Sequence, residues 1–216
     1  MDRIRSFILS HYRDEEGKLQ ELYASAVSRG IPVIREDTKE LLKLLLKMKK
    51  PGKILEIGTA VGFSSIFMAS CLPEAEITTM ELDHERVTEA EENIRNIQMS
   101  HRIHLMEGDA AKLLTELSGT YDFIFVDAAK AQYIVYLPLL LRLSHAGTVI
   151  LSDNVLQDGN ILESHFLVEK RDRTIHGRMR EYLKALANTP GLVTSIMPVG
   201  DGVAVTVVED EGVKII

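Results

Sequence analysis

At 216 residues, 45% of them hydrophobic, the chain is long enough for one well-buried domain, and a net charge of −7 argues against strong nonspecific binding to nucleic acid. The first residues, MDRIRSFILSHYRDEEG, carry charges throughout and no stretch reaches membrane-spanning length, so no signal peptide, no membrane partner and a cytoplasmic location are expected. The single cysteine, Cys71, leaves no partner for an internal disulfide, and its neighbours IFMASCLP read as the apolar end of a helix, so packing in the core is expected.

Residues 1 to 30 read as helical with a break at RDEEGK, and REDTKELLKLLLKMKK is a stronger helix, with Asp37 or Thr38 near its start and lysines in its last turn. Pro51 and Gly52 stop it. Strand-like and helix-like segments then alternate: KILEIGTA, FSSIFMASCL, EITTMEL, HERVTEAEENIRNIQ, RIHLMEG, AAKLLTEL, YDFIFVDA, QYIVYLPLLLRLS and GTVILSDN. That order predicts a parallel sheet with helices on both faces. After a polar helix, RTIHGRMREYLKALANT, come two last strands, LVTSIMPV and GVAVTVVE, joined through GDG. So short a link forces an antiparallel pair.

Ligands of such a sheet sit beyond the carboxyl ends of the strands, where the strand order reverses. The turn LEIGTAVGFSS is therefore expected to touch a cofactor at Gly58. It departs from the dinucleotide fingerprint, since Ala60 and Phe63 occupy the later glycine positions. Glu56, just before the turn, would repel a pyrophosphate and favour a ligand bearing an ammonium and a sulfonium, which points to S-adenosylmethionine. Glu81, ending the second strand, is placed to accept hydrogen bonds from ribose hydroxyls, and Asp109, after the third with Ala110 beside it, to take an adenine amino group. Each acid alone reads equally well as a solvated loop residue or a helix cap.

YDFIFVDAAKAQY and GTVILSDNVL both run apolar and then end in oxygen ligands, at Asp127 and at Asp153 with Asn154. Adjacent strands lie about 4.8 Å apart, so if these two are neighbours the three side chains converge on one hard cation such as Mg2+. Lys130, three residues after Asp127, would join them through a turn of helix as a general base, the alternative being a plain salt bridge to Asp127. Histidine ligands are not expected: His101 and His104 point to different faces, and His176 reads as a solvated helix position.

LEIGTAVGFSS, MELD, GDA, VDAAKAQY and LSDNVL, with the terminal PVGDGVAVTV, resemble the consecutive motifs of the divalent-metal-dependent class I O-methyltransferases, the group of the catechol and caffeoyl-CoA enzymes. The resemblance covers nearly the whole chain. It implies an α/β, Rossmann-like fold with a seven-stranded, mostly parallel sheet closed by an antiparallel hairpin. A helical extension at residues 1–50 would cover the active site of a catalytic domain at 51–216. By the same likeness Asp127, Asp153 and Asn154 hold Mg2+, or another divalent ion such as Mn2+ or Ca2+, Lys130 and Asp127 are catalytic, and Glu81 and Asp109 bind the cofactor's ribose and adenine. Ile34, in GIPVIRED, would lie over its methionine end and Ser64 at its carboxylate.

Catechol-type enzymes carry an aromatic gate between the metal aspartate and the lysine, where this chain has Ala128 and Ala129, and it has no tryptophan at all. Within the family the chain looks most similar to the bacterial enzymes that methylate 5-hydroxyuridine at the tRNA wobble position. The basic stretch EKRDRTIHGRMR, with Lys170, Arg171, Arg173, Arg178 and Arg180, would then meet phosphates of the anticodon loop. Glu169, Asp172 and Glu181 interrupt it, as they would an ordinary solvated helix. The alternatives are a small catechol-like or hydroxycinnamoyl-type phenol as acceptor, and a non-catalytic module that binds S-adenosylmethionine or RNA. The apolar LLKLLLKM helix and the N-terminal extension offer a surface for a homodimer.

Overall fold

A computed structural model describes residues 2–12, 16–164 and 168–215. Helices α1 (Asp2–Leu9), α2 (Lys18–Ser28) and α3 (Glu36–Lys49) precede an alternating run: β1 (Lys53–Ile57), α4 (Phe63–Cys71), β2 (Glu76–Glu81), α5 (His84–Asn96), β3 (Ile103–Glu107), α6 (Ala110–Glu116), β4 (Tyr121–Val126), α7 (Tyr133–Arg142) and β5 (Ser144–Ser152). Helix α8 (Arg173–Asn188) and strands β6 (Leu192–Met197) and β7 (Val203–Val208) complete the chain. Part of the expected break between the first two helices, residues 13–15, lies outside the described residues.

All seven strands form one sheet in the order β3-β2-β1-β4-β5-β7-β6. The pairs among β1 to β5 are parallel, and β7 is antiparallel to both β5 and β6. The seven-stranded sheet with its antiparallel end is thus as the sequence predicts. Strand β5 begins at Ser144, earlier than expected, because the pairing with β4 restarts across an irregularity between Tyr121 and Phe123. From β1 the chain winds outward through β2 and β3, then returns to lay β4 on the other side of β1. The order therefore reverses between Ile57 and Val126, which are partners in the β1–β4 ladder.

Strand periodicity divides the core in two. Leu55 and Ile57 of β1 and Ile124 and Val126 of β4 face one side, with Leu137, Leu140, Met179 and Leu186 from α7 and α8. Ile54, Phe123 and Phe125 face the other, with Ile66 and Phe67 of α4 and with Leu22, Ala26, Leu42 and Leu46 of α2 and α3. Helices α2 and α3 thus share the core of the sheet. Tyr23 of α2 packs on Phe63 at a ring-centroid distance of 5.1 Å. Cys71 is buried at the end of α4, as expected. Among the described residues no helix is long and apolar enough to cross a membrane.

One close approach fixes the reversal point. Gly58 has φ 101°, and a Cβ built there would stand 2.0 Å from the carbonyl oxygen of Asp127. Only glycine lets β1 and β4 end side by side at this spot. Gly58→Ala is expected to lower the unfolding free energy by more than about 2 kcal/mol, read as a shifted midpoint in urea denaturation with an unchanged slope.

Candidate active site

A cleft of about 750 Å³ opens at the strand reversal. Its floor is the carboxyl edge of β1, β2 and β4. The residues that follow α2 form one wall, with Pro32, Val33, Ile34 and Arg35 lining it. Gly58, Ser64, Glu81, Asp109, Ala110, Asp127, Lys130 and Asn154 all line this one space, so residues predicted from separate segments converge.

At one end, Glu81 is held by the backbone. Its Oε2 accepts from Ala60 N at 2.8 Å, and its Oε1 from Leu82 N at 2.9 Å and Asp83 N at 3.0 Å. A carboxylate oriented by three N–H groups keeps about one acceptor site, on Oε2, for a hydroxyl. Asp109 caps α6, accepting from Lys112 N at 3.2 Å, and also lines the cleft. Tyr136, one turn into α7, lines the cleft too.

Glu56 does not reach the cleft, and this corrects the sequence reading. Ile57 and Gly58 line the space, while strand alternation turns Glu56 into the packing under α4, where it is fully buried. It accepts from the hydroxyls of Ser65 and, at 2.6 Å, Thr79. Burial raises its carboxyl to about 6, against the opposing pull of hydroxyls from Ser64, Ser65 and Thr79. Glu56 anchors the turn from below.

At the other end, Val126 and Ser152 are ladder partners, so Asp127 and Asp153 follow them on adjacent strands. Asp153 N donates to Val126 O at 2.9 Å. Asp153 is 1% exposed and, unlike Asp127 and Asn154, does not line the cleft. Its Oδ1 accepts from Asn154 N at 2.7 Å, with Thr38 Oγ1 3.5 Å away, which leaves Oδ2 for another partner. Asn154 adopts φ 56°, a left-handed conformation that asparagine tolerates better than most residues. Burial raises the carboxyl of Asp127 despite the counter-pull of Lys130, and raises that of Asp153, with the charge of Asp127 adding to it. Among the described residues no three His, Cys, Asp or Glu side chains form a metal-binding group. The set here is two carboxylates and a carboxamide, all oxygen donors, and that chemistry fits a hard divalent cation.

Lys130 lies in a 3-10 turn, Lys130–Gln132, and its Nζ pairs with Asp201 Oδ2 at 3.5 Å. The predicted alternative partner was Asp127. Asp201, 5% exposed, belongs to the segment PVGDG, in which the sequence shows only a turn. Tyr133 was likewise missed. Its buried hydroxyl lies 3.2 Å from Val126 O and 3.1 Å from Asp153 O and accepts from Ala128 N at 3.3 Å, strapping the ends of β4 and β5 together.

A family model described as O-methyltransferase matches residues 10–208. The chain belongs to the O-methyltransferase family. The enzyme is similar to a catechol O-methyltransferase of Niastella koreensis, 32% identical over 206 residues that cover 90% of this chain and 91% of the relative. It is also similar to caffeoyl-CoA O-methyltransferase 1 of Arabidopsis thaliana, 32% identical over 94% of this chain and 83% of the relative. The SAH-bound structure of the Podospora anserina methyltransferase PaMTH1 matches with a TM-score of 0.85 at 25% identity, covering 97% of this chain and 95% of that one. The protein is an S-adenosylmethionine-dependent O-methyltransferase.

The basic stretch of this O-methyltransferase also bonds within the chain. Arg178 Nη1 donates to Ala131 O at 3.1 Å, Arg180 Nη1 to Ile161 O at 3.0 Å and Arg173 Nε to Val168 O at 3.1 Å. Three of the five cations thus tie α8 to the loops beside the cleft. Lys170 is exposed, and Arg171 is paired with Glu169 and Asp172 on the surface. His176, expected in solvent, is 2% exposed, with its Nε2 3.1 Å from Glu163 O. His101 and His104 are exposed.

Because Glu56 is protonated in the folded enzyme up to about pH 6 but ionises near 4.5 when unfolded, it removes stability as pH rises through that interval. The difference in unfolding free energy between the enzyme and Glu56→Gln should therefore shift by about 2 kcal/mol in favour of the variant between about pH 4.5 and 7. A difference independent of pH would mean that Glu56 is charged when buried.

Proposed function

We propose that this enzyme methylates the 5-hydroxyl of 5-hydroxyuridine at the tRNA wobble position, giving 5-methoxyuridine, with a divalent cation, Mg2+ or a similar ion such as Mn2+ or Ca2+, held by Asp127, Asp153 and Asn154. The observation that carries the chemistry is the meeting of this all-oxygen donor set with the Lys130–Asp201 pair at one end of the cleft. The acceptor side supports the substrate. Ala128 and Ala129 line it where an aromatic side chain would grip a small free ring, so the acceptor is better held by contacts elsewhere on a larger molecule. Lys170, Arg178 and Arg180, all exposed, are the cations of the basic stretch that face solvent and could meet phosphates.

Glu81 binds a ribose hydroxyl of the cofactor and Asp109, with Ala110, the adenine. Ser64 takes the methionine carboxylate and Ile34 packs over that end, where the extension at residues 1–50 covers the site. A divalent cation held by Asp127, Asp153 and Asn154 would supply Lewis acidity that favours the ionised form of the acceptor hydroxyl. Lys130 receives the hydroxyl proton. The acceptor oxygen then bonds to the methyl carbon as the carbon–sulfur bond breaks, leaving S-adenosylhomocysteine. Orientation of this kind contributes roughly 7 to 11 kcal/mol of the barrier. The apolar Phe7, Leu44 and Met48, all exposed, give the same proposal a homodimer surface, and the enzyme works in the cytoplasm.

The second reading, a catechol-like or hydroxycinnamoyl-type phenol as acceptor, is favoured by the names of the two relatives at 32% identity. Labelled S-adenosylmethionine, bulk tRNA from cells lacking the protein, and nucleoside mass spectrometry with and without EDTA separate the readings. Metal-dependent 5-methoxyuridine is expected. Unlabelled tRNA beside a methylated catechol would establish the second reading, and no transfer to any acceptor would leave a binding module.

Asp127→Ala should abolish turnover while binding of S-adenosylmethionine, followed by calorimetry, stays within about threefold, since the cation and the nucleoside are held by different side chains. Lys130→Ala is expected to slow transfer by roughly 10²- to 10⁴-fold, with partial recovery at higher pH as the acceptor ionises unaided. Loss without such recovery would make Lys130 a positioning group.

A further inference from the structure

The turn between β6 and β7 is clamped from three sides, and one clamp comes from the N-terminal helices. On the metal side, Leu156 N donates to Asp201 O at 3.0 Å and Val155 N to Gly202 O at 2.9 Å, immediately after Asn154. A Cβ at Gly202 would stand 2.1 Å from Leu156 Cγ, and one at Gly200 would stand 2.3 Å from Thr38 Oγ1. With φ values of +81° and +60°, both positions need glycine for space and for conformation. On the cleft side, Asp201 meets Lys130.

On the outer side, Asp37 joins the two ends of the chain. Its Oδ2 accepts from Gly200 N at 3.0 Å, and Arg5 of α1 grips both oxygens, Nε to Oδ2 at 2.8 Å and Nη2 to Oδ1 at 3.1 Å. Burial would raise the Asp37 carboxyl, but the bonds from Arg5 and Gly200 outweigh it and hold it below the ordinary carboxylate range. Asp37 does not line the catalytic cleft; it lines a separate apolar cavity under α1, with Ile4, Leu41 and Val199. Whatever it does for the reaction passes through Gly200. The next residue along α3, Thr38, stands 3.5 Å from Asp153 Oδ1, so the same helix start reaches both halves of the centre.

The geometry points to Asp37 as a positioning residue: by holding Gly200 it fixes Asp201 where it meets Lys130, and Arg5 couples that hold to the N-terminal helix. This rests on the role proposed above for Lys130. A displacement of about 1 Å at a reacting group can cost on the order of a hundredfold in rate. Asp37→Ala is therefore expected to lower kcat by roughly tenfold to a hundredfold with affinity for S-adenosylmethionine and acceptor KM nearly unchanged. Asp37→Asn keeps a carbonyl acceptor for Gly200 N and should return kcat to within about threefold of the parent. Arg5→Gln should fall between the two.

A readout free of turnover is the rate at which Lys130 is modified by an amine-reactive reagent, measured by mass spectrometry on the protein alone. Labelling should be faster in Asp37→Ala than in the parent and in Asp37→Asn. Unchanged kcat and unchanged labelling in Asp37→Ala would overturn the assignment. Equal impairment of both variants, with melting temperature and cofactor affinity falling together, would also overturn it in favour of a general structural role. If the parent transfers no methyl group, the reading of the reaction fails, and the labelling contrast still decides whether Asp37 positions Lys130.

Discussion

Asp127, half-buried at the cleft, and Asp153, fully buried, are brought together by the register of β4 and β5, so two like charges share a space that neither occupies comfortably. Much of the surrounding structure is explained by that constraint. Tyr133 ties the two strand ends to one another through their carbonyls, and the left-handed backbone at Asn154 returns an N–H to Asp153. A buried carboxylate pair is stable as an ionised pair only beside positive charge. Lys130 and Arg35 provide some of it, each pulling down the nearer carboxyl, and a hard cation among three oxygen donors would provide the rest.

The cleft has a division of labour that follows from topology. The ends of β2 and β3 present backbone-bound Glu81 and Asp109 at one end, and β4, β5 and the β6–β7 turn gather Asp127, Asp153, Lys130 and Asp201 at the other. The two halves meet at Gly58, where the absence of a side chain lets the strands end in contact. Buried Glu56 serves neither half directly. It braces the turn by taking hydroxyls from Ser65 on α4 and Thr79 on β2.

Much of this was legible in the sequence because it follows strand endings. Asp127, Asp153, Asn154 and Glu81 each close an apolar run, and a parallel sheet gathers such endings at one edge. Glu56 departs from that pattern because side-chain alternation sends neighbours to opposite faces, however near the turn they lie. The arginines of the basic stretch were read as charges. In the fold Arg173, Arg178 and Arg180 act as hydrogen-bond donors to loop carbonyls, a use that composition does not reveal. Asp201 and Asp37 were out of reach for a different reason: their partners, Lys130, Gly200 and Arg5, are distant along the chain, and no local pattern encodes such pairings.

The central claim is that the ends of β4 and β5 make a divalent-cation site. Calorimetric titration of Mn2+ into the 216-residue chain and into Asp153→Asn, without cofactor or acceptor, addresses it directly. About one ion should bind per parent chain, with an affinity weakened by at least about tenfold in the variant. Equal binding to both proteins, or no binding to the parent with S-adenosylmethionine still taken up, would contradict the claim.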